Sequence, residues 1–476
     1  MSTEPTRREH VRQRRTRAFV GAFAAVLAVL GVTGLAGAAA SSAQGPRVTH
    51  VQIDPGAGVA VSGSRLIVTT NQSLEKVDPA QVRVTPATPF TIDTSGRSVG
   101  LRFTLPLRDD ARYTVRITDV AGRGGGPATT IAEHFRTPPL SAFLLRRSPA
   151  GDVIVRTGLT TGTTTTVFRS RHIEDFRATS GHLVVSTLDN AGHAVLLVTD
   201  LEGRHQRELP VPGPGTIMSL QAADRGELIG YTFFDADLGS GGTRESALYV
   251  ASAKDEAATK KPTAVDVPGK EKRVADWRFV PDTDSILVLT YNGTMLLSAA
   301  DGAGATDLGK GLAIDGIARG ASVAVIQKAD GMAQIDLTDG KQQPLVAAKE
   351  VAGVNGIVTP LPGAHAGTVR PTFVFDDANP DAGVTNLYRV AVDGTATKLY
   401  TVGAGDVLMH TCLSPSGRYA AVLVAPHVVD NPYDRYLLPI PRTVETRIIE
   451  LADGHEVTNL EGFDLSWCQV PPPLVQ

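Results

Sequence analysis

The sequence predicts an all-β chain in which an N-terminal apolar helix is followed by a β-sandwich and then a seven-bladed β-propeller, with six or eight blades as alternatives. Three observations predict it. A run of strand-formers ending in a tight acidic-glycine turn recurs as AVLLVTDLEG at 194–203, TMLLSAADG at 294–302, MAQIDLTDG at 332–340, LYRVAVDG at 387–394 and RIIELADG at 447–454. Degenerate copies at 152–162 and 247–256 bring the set to about seven, spaced by roughly 40 to 60 residues, as propeller blades are. Gly (48) and Pro (30) are abundant while aromatics make up only 5%, which favours short strands and frequent turns over helices. Finally, an arginine-rich start gives way to a charge-free apolar run.

Residues 1–17 form a basic segment with Arg7, Arg8, Arg12, Arg14, Arg15 and Arg17, expected to stay cytoplasmic, and 18–40 carry no charge. At 1.5 Å per residue that apolar run would just cross a ~30 Å hydrocarbon layer. It is expected to be a transmembrane anchor or a signal-peptide helix, placing the rest of the chain outside. Ser41-Ser42-Ala43 offers a cleavage site, and retained anchor and cleaved peptide both stand open. Sec export is favoured over the twin-arginine route, because Thr16-Arg17-Ala18 lacks the hydrophobic pair expected after Arg14-Arg15.

Residues 46–138 read as a separate β module, with alternation in RVTHVQI, RLIVTT, VRVTP, VGLRFTL and ARYTVRITDV. Leu105-Pro106-Leu107, the strand from Tyr113, the Asp119-Val120-Ala121-Gly122 turn and the closing His134-Phe135-Arg136-Thr137-Pro138 resemble the bacterial Ig-like (SbsA-like) domain of surface-layer and exported proteins. That resemblance implies a spacer or presenting domain with no catalytic residues. Thr137-Pro138-Pro139 is a short stiff linker.

The propeller is expected over 140–471. Its fourth blade shows the plan as VADWRFVP, SILVLTYN, GTMLLSAADG and ATDLGKG, and the last contains CLSPSGRYAAVLVAP. These phrases resemble TolB-like and WD40-like propeller repeats, in which a Ser-Pro-Asp-Gly-Arg turn joins the first two strands. Here Ser416 replaces the aspartate in Ser414-Pro415-Ser416-Gly417-Arg418. The first blade supplies three strands, and FDLSWCQV at 463–470 is a lone strand expected to fill the vacancy and close the ring.

Cys412 and Cys468 are the sole cysteines. In an oxidising compartment they are disulfide candidates; two separate buried thiols are the alternative.

The net charge of -3 excludes the broad basic field that nucleic-acid binding needs. No Gly-x-Ser-x-Gly elbow, phosphate-binding glycine loop or paired histidines of zinc spacing occurs, so no catalytic residue, metal or cofactor is expected. Propeller peptidases resembling prolyl oligopeptidase carry an additional α/β hydrolase domain, for which nothing here provides.

Long loops at 235–245, 376–386 and 427–443 are expected on one face, which supplies the candidate binding residues Asp235, Asp237, Asp376, Asp377, Tyr433, Arg435 and Tyr436. A lid packed on its own propeller is the alternative for 427–443. Asp377, Asn379 and Asp381 alternate like calcium ligands, but Gly383 falls one place late, no closing glutamate follows, and Pro380 stiffens the centre. The reading is a non-catalytic binding or scaffolding protein of the bacterial cell envelope, its partner an envelope protein, peptide or glycan, with membrane contact through 18–40 if uncleaved. The alternative is an extracellular carbohydrate-active or other small-substrate enzyme at the channel mouth, drawing on Asp235, Asp376, Arg435 and Tyr436.

Overall fold

The computed structural model describes residues 19–34, 44–300, 304–376 and 383–473. It is all-β and strand-rich, and its contacts fall into two compact units.

The expected membrane-spanning or signal helix over 18–40 is not found. The described helix covers 19–34, about 24 Å at 1.5 Å per residue, which is short of a hydrocarbon core. No helix among the described residues is long and apolar enough to cross a membrane. Gly31, Val32, Thr33 and Gly34 are weak helix formers and lie where the described helix stops. Residues 1–18 and 35–43 lie outside the described residues, and with them the basic segment and the cleavage site.

The first unit comprises the chain up to Asp54, Arg65–Arg102 and Arg112–Phe135. One antiparallel sheet orders Val48–Gln52, Arg65–Thr70, Ser98–Phe103 and Phe90–Ser95; another orders Val82–Thr85, Arg112–Val120 and Thr129–Arg136. Alternate residues are buried, Leu66 and Val68 on one strand and Tyr113, Val115 and Ile117 on another, because side chains of a strand alternate between faces. Five of these strands are those expected from the alternation, Phe90–Ser95 and Thr129–Arg136 being additional, and nothing assigns the module to the Ig-like family.

The second unit contains Pro55–Ser64, Phe103–Ala111 and Arg136–Gln476. From residue 141 onward its described strands form seven successive antiparallel sheets, here the first to the seventh. The repeated turn is hairpin chemistry between the third and fourth strands of a sheet. Gly203, Gly340, Gly394 and Gly454 all take φ between 73° and 86°, the region where glycine lacks the Cβ penalty. In the Ser414–Arg418 turn the Ser414 hydroxyl accepts the amides of Arg418 and Tyr419 at 3.1 and 3.0 Å, while Gly417 turns at φ +68°.

The expected closed seven-bladed propeller is corrected here: no sheet is closed into a true propeller. The first sheet, with strands Ser141–Arg146, Asp152–Gly158 and Thr164–Ser170, stays three-stranded. Segment 463–470 meets it through an isolated bridge, in which Leu145 and Phe463 exchange amide bonds of 2.9 and 3.0 Å. The physical reason is backbone geometry. Asp464 takes φ +58°, which carries the chain out of the extended region directly after the bridge. Beyond the bridge the Ser466 amide donates to the Phe143 carbonyl and the Phe143 amide to the Ser466 hydroxyl, both at 3.0 Å, and the seam between first and seventh sheets is otherwise apolar: Leu145, Ile154 and Phe168 share a cluster with Met409, Leu423, Val444 and Phe463.

Candidate functional site

The first strands of successive sheets face a common cavity of about 800 Å³ in the second unit. Four of these strands carry a β-bulge, in Gly215–Ala222 between Met218 and Gln221, in Val274–Phe279 at Val274/Asp276, in Ala313–Ile317 at Ile314/Gly316 and in Val407–Leu413 at Leu408/His410. A bulge adds a residue to one strand of a pair and re-aims the side chains around it. Met218, Gln221, Ala275, Asp276, Asp315 and His410 consequently line the cavity.

The charges there are tied to neighbours. Strand Asp175–Ala178 and strand Val274–Phe279 share an Asp-x-Arg pattern, and residues two apart on a strand lie on one face. Arg177 donates to Asp175 at 2.8 Å and approaches Asp464 at 3.0 Å, all three buried. Burial pushes Asp175 well above the carboxylate range, and the Arg177 charge opposes that only in part. Arg278 pairs with Asp276 and donates to the carbonyls of Trp277 at 2.7 Å and Ile314 at 3.1 Å, joining the fourth sheet to the fifth.

Asp315 makes a similar tie onward. Its two oxygens accept the Val358 amide at 2.7 Å and the Gln327 side chain at 2.9 Å. Burial nevertheless raises its pKa to about 6. His410, half-buried by area but deep in the cavity wall, is pushed down to about 4 by burial. Across the cavity Arg319 meets Asp224 at 3.0 Å and donates to the Trp467 carbonyl at 3.2 Å.

Apolar groups complete the wall, among them Tyr291, Leu312, Ile357, Pro360 and Trp467. Cys412 also lines it and is disulfide-bonded to Cys468, with Cα atoms 5.5 Å apart.

Among the described residues, the binding candidates singled out from the sequence do not line this cavity. Asp235 is buried in its own hairpin, where it accepts the amides of Thr243 and Arg244 at 3.0 and 2.8 Å and pairs with the Arg244 guanidinium at 2.6 Å. The Arg244 hydrogen bond holds its carboxyl below the usual range. Asp237 turns the same hairpin, its carbonyl accepting the Ser240 and Gly242 amides. Asp376 is exposed after strand Thr368–Val374, and Asp377, Asn379 and Asp381 lie outside the described residues.

The 427–443 excursion packs along the unit's own surface. Arg147 is almost fully buried, donates to Asp434 at 2.8 Å and to the Leu438 carbonyl at 2.9 Å, and lies 3.8 Å from the Tyr436 ring centroid. The Tyr436 hydroxyl donates to Asp152 at 2.8 Å and its ring stacks on His172. Tyr433 is partly exposed and bridges to Pro441. Arg435 is exposed beside a smaller cleft of about 390 Å³ that Arg146 and Arg442 also line. Leu437 and Leu438 carry the excursion to the rim of the central cavity.

Sequence reasoning missed the central groups. The Asp-x-Arg pattern in two first strands was the available signal, since a charged pair on an inner strand must be compensated to be buried. The bulges left no such signal.

No family model matches the chain, and no curated protein matches it. Among solved structures it is similar to a putative TolB from Agrobacterium tumefaciens at 14% identity, over 68% of this chain and 90% of that one, with a TM-score of 0.36. A putative 6-phosphogluconolactonase from Bacteroides fragilis matches at 12%, over 69% and 96%, with a TM-score of 0.42. An oligogalacturonate lyase in complex with manganese matches at 11%, over 72% and 94%, with a TM-score of 0.41. The chain has a mostly β-sheet fold resembling TolB-like and other propeller architectures at low identity. Matches of this size do not choose between a scaffold and an enzyme.

Proposed function

We propose that this chain is an extracytoplasmic, non-catalytic binding protein of the cell envelope whose partner, a protein, peptide or glycan, engages the central cavity of the second unit. The observation that carries the reading is the wall itself: first strands from several sheets, four of them bulged, present paired charges and apolar groups to a cavity of about 800 Å³. Ligand sites are commonly concave, largely apolar and marked by a few convergent polar groups. The Cys412–Cys468 bond supports an oxidising location. The 427–443 excursion contributes Leu437 and Leu438 to the rim and is otherwise a packed strap.

Ala275 is an exposed bulge residue on the wall, so Ala275→Trp fills cavity space without removing a packed side chain. Crosslinked capture from envelope extracts by the intact chain should fall at least tenfold in this variant. Equal capture by both proteins would overturn the reading. An enzyme at the same cavity is the second reading, favoured by the raised pKa of Asp315. It requires Asp315→Asn to abolish turnover of a saccharide substrate that the intact chain converts.

A further inference from the structure

A piece of this chain forms part of the wall of the central cavity. Gln469, Val470, Pro471, Pro472 and Pro473 all line it, with Pro472 buried, Val470 and Pro471 half-buried, and Pro473 exposed. The root of this segment is fixed twice. Cys468 is bonded to Cys412 on the seventh sheet's first strand, and Gln469 donates to Asp224 at 3.3 Å beside the Asp224–Arg319 pair. Beyond Gln469 the hold changes character. Three consecutive prolines have no amide hydrogen to donate, and among the described residues Val470–Pro473 make no hydrogen bond to the wall.

We infer that residues 469–473 are a resident, displaceable occupant, and that the ligand of this cavity is an extended proline-rich peptide segment of a partner protein. This rests on the cavity being the binding site, as proposed above. Proline-rich segments are extended before they bind, lose little entropy on docking and are taken up by grooves lined with aromatic and apolar groups. Trp467, Tyr291, Pro360, Pro362 and Ile357 provide such a lining. The resident segment shows that a chain of this composition can be accommodated there without backbone hydrogen bonds.

Occupancy has a quantitative consequence. A peptide in trans binds the fraction of molecules whose cavity is open, so its apparent affinity is weakened by that fraction. If the tethered segment covers the peptide's seat on the wall in about 90 to 99% of molecules, the peptide binds roughly 10- to 100-fold more weakly than to an uncovered seat. The disulfide confines release to the residues beyond Cys468, because Cys468 is bonded to Cys412 on the wall.

The test uses the full chain and a fluorescent synthetic peptide of sequence Gln-Val-Pro-Pro-Pro-Leu-Val-Gln, read by anisotropy. In a Pro471→Gly, Pro472→Gly, Pro473→Gly variant the peptide should bind at least tenfold more tightly than to the intact chain. Adding Ala275→Trp to that variant should abolish the gain. An unchanged melting temperature of the triple variant establishes that the fold is retained. If the triple variant binds the peptide no better than the intact chain, or if Ala275→Trp leaves the gain in place, the inference is wrong. Partner capture that still depends on Ala275 would then leave the cavity as the binding site and refute only its peptide ligand.

Discussion

Asp315→Asn tests whether the cavity wall stores an electrostatic cost that the fold tolerates. Both Asp315 oxygens accept hydrogen bonds, yet burial raises its pKa from 3.8 to about 6. Below the unfolded value the group is protonated in both states and contributes nothing. As pH rises from about 4 to 6 the unfolded chain ionises while the folded chain keeps the proton, so stability falls across this window and stays lowered above it. A shift of roughly 2 units at about 1.4 kcal/mol each makes the cost about 3 kcal/mol at neutral pH. Asparagine removes the charge, still accepts the Val358 amide, and can donate to Gln327 once that amide flips. His410 acts in the opposite direction: its depressed pKa near 4 makes stability rise from about pH 4 to its ordinary value of 6.5. The two slopes oppose each other in the intact chain, so the informative quantity is the difference between variant and parent. Urea unfolding at half-unit steps from pH 3.5 to 7.5 should show near equality at the acid end and an advantage for Asp315→Asn that grows through pH 4–6. A constant difference over the whole range, or a variant less stable at pH 7, would refute the electrostatic assignment.

Arg147→Ala should destabilise the second unit by about 2 to 3 kcal/mol in chemical denaturation, because it removes the ion pair to half-buried Asp434 and the bond to the Leu438 carbonyl that pin the 427–443 strap. Gly230→Ala should cost about 1 to 3 kcal/mol by the same measurement, since its Cβ would come within 2.5 Å of Trp277 Cη2 in a wholly buried contact. Replacing Cys412 and Cys468 by serine opens a link across 56 residues and should lower stability by about 4 kcal/mol, measured against the oxidised parent.

How far the sequence could be read depended on whether a feature was local. Gly203, Gly340, Gly394 and Gly454 marked their hairpins because a positive φ is a demand of the turn alone, and the four strands of the fourth sheet lie where their alternation puts them. The closing strand failed as an expectation because FDLSWCQV has strand composition while Asp464 turns in the left-handed region, a choice made by the seam it packs on. The 18–40 helix failed because apolar character persists beyond the residues the described helix covers. Asp235 looked available from its loop position, yet Arg244, nine residues on, folds back and takes it. Tyr436 drew notice as an interface anchor; its hydroxyl belongs to Asp152, 284 residues earlier in the chain. Residues 469–473 drew no notice as a cavity occupant, since nothing local in a run of prolines states what it will lie against.

Hydrogen exchange of the full chain, alone and bound to the partner it captures, tests the central claim most directly. Binding in the cavity predicts slowed exchange in the first strands Gly215–Ala222, Val274–Phe279, Ala313–Ile317 and Val407–Leu413, with the third strands Ala194–Asp200 and Gly331–Asp336 unchanged. Protection confined to the hairpins around Asp237 and Asp376, with the first strands unaltered, would contradict it.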